Sequence, residues 1–196
     1  SETYKINFIK KFNKFVLGAT HSTGLRNPTL YELYGTDNYG ITGNINLKPE
    51  KSKTNELSLA YKISEKLTFK TTAYRATVFD QIESNSAYTK HENEKIDINQ
   101  EGLENNLSLN TNTQSFSIYS NFSKSRKTNG QAQSRRPDLS YGLNYKKIIN
   151  QTLIGPLNFN LNYKYTGKYI DYDGSKNSRQ KSTDILDLYF TKDFYG

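Results

Sequence analysis

The sequence predicts an all-β protein, an antiparallel up-and-down meander of about nine strands of the kind that forms transmembrane β-barrels. Apolar and polar side chains alternate along several segments, and the connections between these segments alternate in length. The clearest segment is 157–165, in which Leu, Phe and Tyr occupy the odd positions and Asn or Lys the even ones. A strand repeats every two residues, so this segment has one apolar face and one polar face.

The same alternation recurs along the chain. In order, the predicted strands are 4–8, 15–19, 57–63, 67–78, 103–109, 116–122, 139–145, 157–165 and 186–190. In the fourth strand the apolar positions change phase at Thr71 and Thr72, which indicates either a β-bulge or an aromatic side chain on the polar face. Aromatic residues near strand ends or on the apolar face are typical of a membrane girdle, although tyrosine also favours strands in general. They are Tyr4, Tyr141, Tyr163, Tyr165 and Phe190.

The connections favour a membrane barrel over a soluble sandwich. Short turns at 10–13, 64–66, 111–113 and 150–156 alternate with long polar loops at 22–52, 83–94, 124–138 and 170–182. A sandwich has no reason to collect its long loops at one end, whereas outer-membrane barrels have short turns at one rim and long loops at the other. In a barrel the apolar face meets lipid and the polar face lines a wet lumen.

The composition is compatible with a membrane barrel and also suggests one alternative class of protein. Hydrophobic residues make up 34 % of the 196 residues and mean hydropathy is −0.84, so no transmembrane helix is expected. The net charge of +8 suits nucleic acid or an anionic surface. A soluble basic β-rich module that binds single-stranded nucleic acid or glycan would place basic and aromatic residues together on one polar face. Here the aromatic and the Asn/Lys positions alternate, which disfavours that module; a small closed porin is disfavoured by the odd strand count.

Catalysis has little support in the sequence. The two histidines, His21 and His91, have no cysteine or paired-ligand spacing near them, and no nucleophile elbow or phosphate loop is present. The segment Asp171–Ser175 begins like a calcium loop, but the ligand series then fails, so a plain turn is the expectation. We therefore predict a protein that is not an enzyme and uses no cofactor.

The blocks Gly24–Gly35 and Gly43–Ser52 carry the most specific motifs of the chain. They resemble the "F-R-A-P-T-L-x-E-L-Y" and "G-N-P-N-L-K-P-E" segments of TonB-dependent outer-membrane receptors, although Asn27 and Ile45 replace the usual Ala and Pro. Downstream, three further segments resemble family strand starts and exits in the right order. These are Gly102–Glu104, Arg135–Pro137 and Tyr165–Tyr169.

The resemblance implies a bacterial outer-membrane location and a transport role. It implies that residues 1–196 are a partial barrel domain, an open fragment with about nine of twenty-two strands, and that the plug, the energy-coupling box and the closing strands lie outside it. The expected ligand is cobalamin or a ferric siderophore. The expected partners are outer-membrane lipid and the TonB energy-coupling complex, which would act through the plug, and no nucleic acid.

Candidate ligand-binding residues lie in the long loops. Exposed tyrosines suit flat macrocycles or ferric chelates, and loop arginines attract anionic ligands or, together with Arg126, lipopolysaccharide phosphates. Arg26 has a second interpretation as a structural ion pair with Glu32 and Glu50, because a long loop needs internal tethers. The predicted site residues are Arg26, Tyr31, Tyr34, Asp37, Asn38, Tyr39, Arg135 and Arg136.

Overall fold

The computed structural model describes residues 2–38, 40–85, 89–150, 155–172 and 177–192. Its elements, in chain order, are β1 (Lys5–Phe12), β2 (Phe15–Arg26), α1 (Leu30–Tyr34), β3 (Glu50–Lys62), β4 (Leu67–Phe79), β5 (Ile82–Ser84), β6 (His91–Asn93), β7 (Ile98–Asn110), β8 (Gln114–Lys127), β9 (Leu139–Ile149), β10 (Leu157–Thr166), β11 (Tyr169–Tyr172), β12 (Asn177–Gln180) and β13 (Thr183–Thr191). Nine strands form one antiparallel sheet in the order β1-β2-β3-β4-β7-β8-β9-β10-β13. The predicted all-β meander of nine strands is therefore confirmed. Within the described residues the sheet is open, because β1 and β13 each pair along one edge.

Short turns and long loops lie at opposite ends of the sheet. The connections 13–14, 63–66, 111–113 and 150–156 are at one end, which we call the turn rim. Four longer connections are at the other end, the loop rim: L1 (27–49), L2 (80–97), L3 (128–138) and L4 (167–182). L1 contains α1, L2 contains the hairpin β5-β6, and L4 contains the hairpin β11-β12. These elements are three to five residues long, too short for their periodicity to show in the sequence.

The pairing register gives the sheet one apolar and one polar face. Directly paired residues of antiparallel strands point to the same side. Apolar partners follow one another across all nine strands, as in the pairs Phe8–Ala19, Leu17–Leu59, Tyr61–Phe69, Leu107–Ile118, Phe116–Tyr145 and Leu161–Leu188. Asn, Ser, Thr and Lys dominate the opposite face. The period-2 pattern therefore becomes a continuous apolar band on one side of the sheet.

The apolar face is exposed rather than packed into a core. Ile6, Phe8 and Leu57 are 63 %, 65 % and 67 % exposed, and near the other sheet edge Phe190 is 61 % exposed. Over the described ranges, no second layer of strands covers this face. Such a surface is unstable in water and stable in lipid, which decides against the soluble sandwich. As for helices, none in the described part of the chain is long and apolar enough to cross a membrane.

The phase change in β4 comes from an aromatic side chain on the polar face. Pairing of β3 with β4 runs without interruption from Lys51–Phe79 to Lys62–Thr68, so the alternative of a β-bulge was wrong. Tyr74 points to the polar face, where its ring lies against Gly102 of β7; a Cβ at Gly102 would come within 2.6 Å of that ring. Thr71 lies instead on the apolar face.

Three polar side chains interrupt the apolar band and bond to one another. Thr71 Oγ1 donates to Asn105 Oδ1 at 2.8 Å, and Asn105 Nδ2 donates to Ser120 Oγ at 3.3 Å. We call these three residues the polar ladder. Their mutual hydrogen bonds reduce the cost of placing polar groups against hydrocarbon.

Aromatic rings flank the apolar band at both rims. Near the turn rim, Phe15 and Tyr61 stack with ring centroids 4.4 Å apart. Near the loop rim, Tyr141 and Tyr165 stack at 4.6 Å. Aromatic side chains at both rims of an apolar face are typical of a sheet that spans a bilayer.

Candidate functional site

The first candidate ligand residues lie on a loop that the local sequence shapes. Thr29 caps α1: its Oγ1 accepts a hydrogen bond from the Glu32 N–H at 3.1 Å, and Glu32 Oε2 accepts one from the Thr29 N–H at 2.7 Å. This reciprocal capping box stabilises a helix of only one turn. It also fixes the Glu32 carboxylate toward the end of β2.

Arg26 joins three elements through two carboxylates. Its Nη2 and Nε donate to Glu50 Oε1 and Oε2 at 2.6 and 2.8 Å, and its Nη1 donates to Glu32 Oε2 at 3.0 Å. Glu50 Oε1 also accepts the Ile82 N–H at 2.8 Å. The cluster therefore ties β2, α1, β3 and β5 together. Forked, charge-assisted bonds of this kind are the strong class of ion pair.

The ion pairs determine how these groups ionise. The hydrogen bonds that Arg26 donates to the Glu50 and Glu32 carboxylates raise the pKa of Arg26. Partial burial raises the pKa of Glu32 and of Glu50, but hydrogen bonds from Arg26 and from backbone N–H groups outweigh it, so both pKa values lie below the ordinary glutamate range. The structure shows the tether that the sequence suggested, and a ligand contact for Arg26 stays a prediction.

L1 and L2 pack on each other through hydrogen bonds and a small core. The Thr42 N–H donates to the Thr89 carbonyl at 2.8 Å, and Asn93 Oδ1 accepts the Lys48 N–H at 2.8 Å. Among the described residues, the buried hydrophobic side chains are Leu47, Ile82 and Ile98. All three lie in these loops or at the loop-rim end of β7, so the protein core of the described residues lies at this end of the sheet.

L3 links L2 to L4. The Thr128 N–H of L3 donates to the Asp97 carbonyl of L2 at 2.9 Å. Beside it Lys127, at the end of β8, pairs with Glu94 at 3.2 Å and with Glu83 at 3.7 Å in L2. Burial, together with the neighbouring Glu94, raises the pKa of Glu83 despite this lysine. On the other side, Arg135 donates from Nε to Asp171 Oδ1 at 2.7 Å and from its backbone N–H to the Ile170 carbonyl at 2.7 Å. Each long loop therefore contacts the next, and we call L1 to L4 together the loop layer.

The predicted tyrosines of L1 lie on the surface of the loop layer. Tyr31 is 48 % exposed with its ring edge-on to His91 at 5.8 Å, and Tyr34 is 69 % exposed. Asp37 Oδ1 accepts the Ile41 N–H at 2.9 Å and so shapes the loop, and Asn38 is exposed. Tyr39 lies outside the described residues. The ligand-binding role of this group stays a prediction.

Arg135 and Arg136 line a cavity that the sequence did not reveal. It has a volume of about 300 Å³ and lies between L3 and the polar face of the sheet, where Tyr74, Gln100 and Asn121 form its floor. Asn121 Oδ1 is buried there and accepts no hydrogen bond from the described residues. The period-2 pattern places these three residues on the polar face, but only the fold of L3 brings them under the arginines.

Metal binding has no support in the described part of the chain, where no three His, Cys, Asp or Glu side chains are grouped to hold an ion. Asp171, the first residue of the weak calcium-loop resemblance, pairs with Arg135 instead. Asp173 to Ser175 lie outside the described residues.

Comparisons with known proteins agree with this geometry. The family model described as "TonB dependent receptor-like, beta-barrel" matches residues 3–195. The siderophore receptor PirA from Acinetobacter baumannii superposes with a TM-score of 0.74 at 17 % identity, over 95 % of this chain and 34 % of that one. The ferric yersiniabactin uptake receptor FyuA from Yersinia pestis superposes with a TM-score of 0.70 at 19 % identity, over 96 % of this chain and 29 % of that one. The FrpB iron transporter from Neisseria meningitidis superposes with a TM-score of 0.69 at 14 % identity, over 96 % of this chain and 31 % of that one.

The chain spans about a third of the length of these solved structures, and their identities to it are low enough that they show the fold alone. No curated protein sequence matches the chain. The family match, in contrast, covers nearly every residue. The chain thus belongs to the TonB-dependent receptor-like β-barrel family, whose members are outer-membrane proteins of Gram-negative bacteria.

Proposed function

We propose that this chain forms part of the wall and external loops of a TonB-dependent importer of ferric siderophores. The observation that carries the proposal is the loop layer: four long loops of one rim are joined to one another above a polar sheet face. A ligand captured from outside would meet this layer first and the polar face next. A soluble nucleic-acid or glycan module is not supported, because the apolar face of all nine strands is exposed.

Ligand class is inferred from the chemistry of the loops. Tyr31 and Tyr34 expose aromatic faces, and Arg136 exposes a guanidinium beside the cavity under L3. Ferric chelates with catecholate or carboxylate arms are anionic and carry flat groups, which suits this combination. The three similar solved structures, which are those of an iron transporter, a ferric yersiniabactin uptake receptor and a siderophore receptor, support the same class.

Cobalamin would use the same tyrosines, since its corrin is a flat macrocycle, but nothing at the site favours it specifically. We propose that residues 1–196 are a partial barrel domain. The TonB complex would act through a plug supplied outside this chain.

An uptake assay tests the proposal. The full-length natural protein that contains this chain is expressed in an outer membrane lacking other ferric-siderophore receptors. Accumulation of ⁵⁵Fe from a ferric tricatecholate and of radiolabelled cyanocobalamin is then measured with and without TonB. We expect TonB-dependent iron uptake. Uptake of cyanocobalamin alone, or iron uptake that is equal without TonB, would contradict the proposal.

Two variants connect the assay to the site. Tyr34→Ala and Arg136→Gln should each raise the half-saturating concentration of the ferric chelate several-fold, because each removes an exposed contact without removing a described core contact. Lys62→Gln at the turn rim is the matched control and should leave uptake unchanged. If Lys62→Gln lowers uptake as much as the other two, the loops are not the capture site.

A further inference from the structure

Two cavities on the polar face of the sheet join into one trough. The cavity under L3 has a volume of about 300 Å³, and a second cavity of about 560 Å³ lies farther from the loop rim. Asn121 and Ser140, which pair across β8 and β9, line both cavities. We call the joined cavities the wall trough. It leads from the loop layer toward the middle of the sheet.

Two tyrosines line the wall trough without filling it. Tyr74 pairs with Gly102 on the next strand, and Tyr119 pairs with Gly142. A Cβ on either glycine would collide with the ring of its partner, so each ring lies over bare glycine backbone. Any larger residue in place of glycine would lift the ring away from the sheet and into the trough. The two glycines therefore keep the trough open and give it aromatic walls.

Cations flank the wall trough without an acidic partner. The register places Lys70 and Lys164 in one row, on opposite sides of the larger cavity, and Arg136 lines the end under L3. All three side chains are exposed, and no carboxylate of the described residues lies within 4.0 Å of their nitrogens. Among the described residues, Glu104 is the acidic side chain that lines the trough. The trough therefore has a net positive charge.

A buried acceptor lies where the two cavities meet. Asn121 Oδ1 has no hydrogen-bond donor among the described residues, and a buried polar atom without a partner is costly. An occupant that donates a hydrogen bond to this oxygen would remove that cost. The acceptor, the two rings and the excess of cations together suit an anion that also has flat groups and an N–H or O–H donor.

We propose that the wall trough is a second anion-binding site, which holds the ferric chelate on the barrel wall after the loop layer has captured it. The inference rests on the proposed function. Lys70 and Lys164 are four strands apart, about 19 Å between backbones, which suits an anion with several arms better than a small inorganic ion. The two lysines contact the anionic oxygens of the chelate, and Asn121 accepts a hydrogen bond from an amide or hydroxyl group of its arms.

The first experiment measures the charge preference of the trough without relying on transport. Residues 1–196 contain no cysteine, so Ser140→Cys introduces a thiol at the junction of the two cavities. Its rates of reaction with the anionic sulfonatoethyl and the cationic trimethylammonioethyl methanethiosulfonates are measured in the full-length protein. The control is Asn7→Cys on the same face, where the cross-strand partner Thr20 is uncharged.

We expect the ratio of anionic to cationic labelling rates to be about ten-fold higher at Ser140→Cys than at Asn7→Cys, because a cleft with one sign of charge concentrates the opposite ion. Adding Lys70→Gln/Lys164→Gln should remove most of this difference. A saturating ferric tricatecholate should slow labelling at Ser140→Cys and leave Asn7→Cys unaffected.

The second experiment separates the trough from capture by the loops. Lys70→Gln/Lys164→Gln in the full-length protein should lower the maximal rate of TonB-dependent ⁵⁵Fe uptake about ten-fold and leave the half-saturating concentration unchanged. Lys70→Arg/Lys164→Arg keeps both charges and should restore the rate. Lys5→Gln/Lys11→Gln removes the same charge from the same face at the sheet edge and is the matched control.

The two experiments fail in different ways. If the unmodified protein takes up no ferric chelate, the proposed function is wrong, whereas the labelling ratio tests the trough by itself. Equal ratios at the two cysteines, no reaction of either reagent at Ser140→Cys, or no protection by the chelate would overturn the second site. So would equal losses of uptake in the two Lys→Gln variants. Heat-modifiable gel migration checks that each variant assembles, and the protection measurement needs no lysine variant.

Discussion

The sheet and the loop layer differ in whether the protein itself buries their apolar side chains. The sheet pairs its backbone groups between strands but leaves its apolar side chains uncovered, as at Phe8 and Leu57, which are 65 % and 67 % exposed. The loop layer is polar in composition, yet it contains Leu47 and Ile82, which together with Ile98 at the start of β7 are the buried hydrophobic side chains of the described residues. The sheet thus depends on lipid for its stability, whereas the loops depend on contacts with one another.

This difference predicts that the same truncation has different costs in the two regions. Ile98 is 1 % exposed, and Ile98→Ala should destabilise the loop layer by about 2–5 kcal/mol, because it leaves a cavity between L2 and the end of β7. Ile118→Ala is the matched control on the apolar face, where the side chain is 43 % exposed and lipid fills the space. Amide hydrogen exchange of the full-length protein in lipid vesicles should show lost protection in L1 and L2 for Ile98→Ala alone. Equal losses for both variants would contradict the comparison.

A charge placed on the sheet tests the opposite dependence. Leu161→Arg puts a guanidinium into the apolar band and should cost about 2–4 kcal/mol of stability in lipid. The adjacent position supplies the control, since Asn162→Arg projects to the polar face opposite Asp187 and should cost little. Unfolding by urea in vesicles measures both. A larger loss at Asn162 than at Leu161 would mean that the faces are assigned the wrong way round.

The pH dependence should differ between neighbouring loops. The folded pKa values of Glu32 and Glu50 lie below the ordinary value of 4.5, so their contribution is complete above that pH and is lost as pH falls through the folded values. The pH dependence expected from Glu83 has the opposite sign. Its folded pKa is raised, so protonation on acidification favours the folded L2. Hydrogen exchange followed from pH 7 down to about pH 3 should therefore show L1 losing protection before L2.

Removing the arginine should reproduce the acid effect at neutral pH. Arg26→Gln leaves Glu32 and Glu50 facing each other and should destabilise L1 by about 1–2 kcal/mol, a figure reduced because the side chain is 42 % exposed. Lys62→Gln, which removes an ion pair at the turn rim, is the control. If L1 protection in Arg26→Gln matches the unmodified protein at pH 7, the cluster is not the tether.

The difference between the sheet and the loop layer also explains which features the sequence could predict. In segment 157–165 lipid and water lie on opposite sides, so alternation specified both the strand and its faces. Beyond the bilayer both sides are wet and the signal fades, which is why β7 was predicted to begin at Leu103 although it begins at Ile98. The Arg26 tether was readable because opposite charges flank one loop. The cavity under L3 was not, because it depends on how distant segments fold together.

The polar ladder consists of hydrogen-bonded polar side chains on the lipid-facing side of the sheet. Substitutions there should give the smallest change in unfolding free energy. Asn105→Leu removes the bonds to Thr71 and Ser120 but replaces an amide with a side chain that lipid solvates well. The lost hydrogen bonds and the improved contact with lipid have opposite effects on stability, so we expect a change in unfolding free energy within about 1 kcal/mol. Asn105→Asp, which places a charge at the same position, should be clearly more destabilising and serves as the control. A loss above about 2 kcal/mol for Asn105→Leu would show that hydrogen bonds between side chains, and not lipid contact alone, hold this part of the sheet.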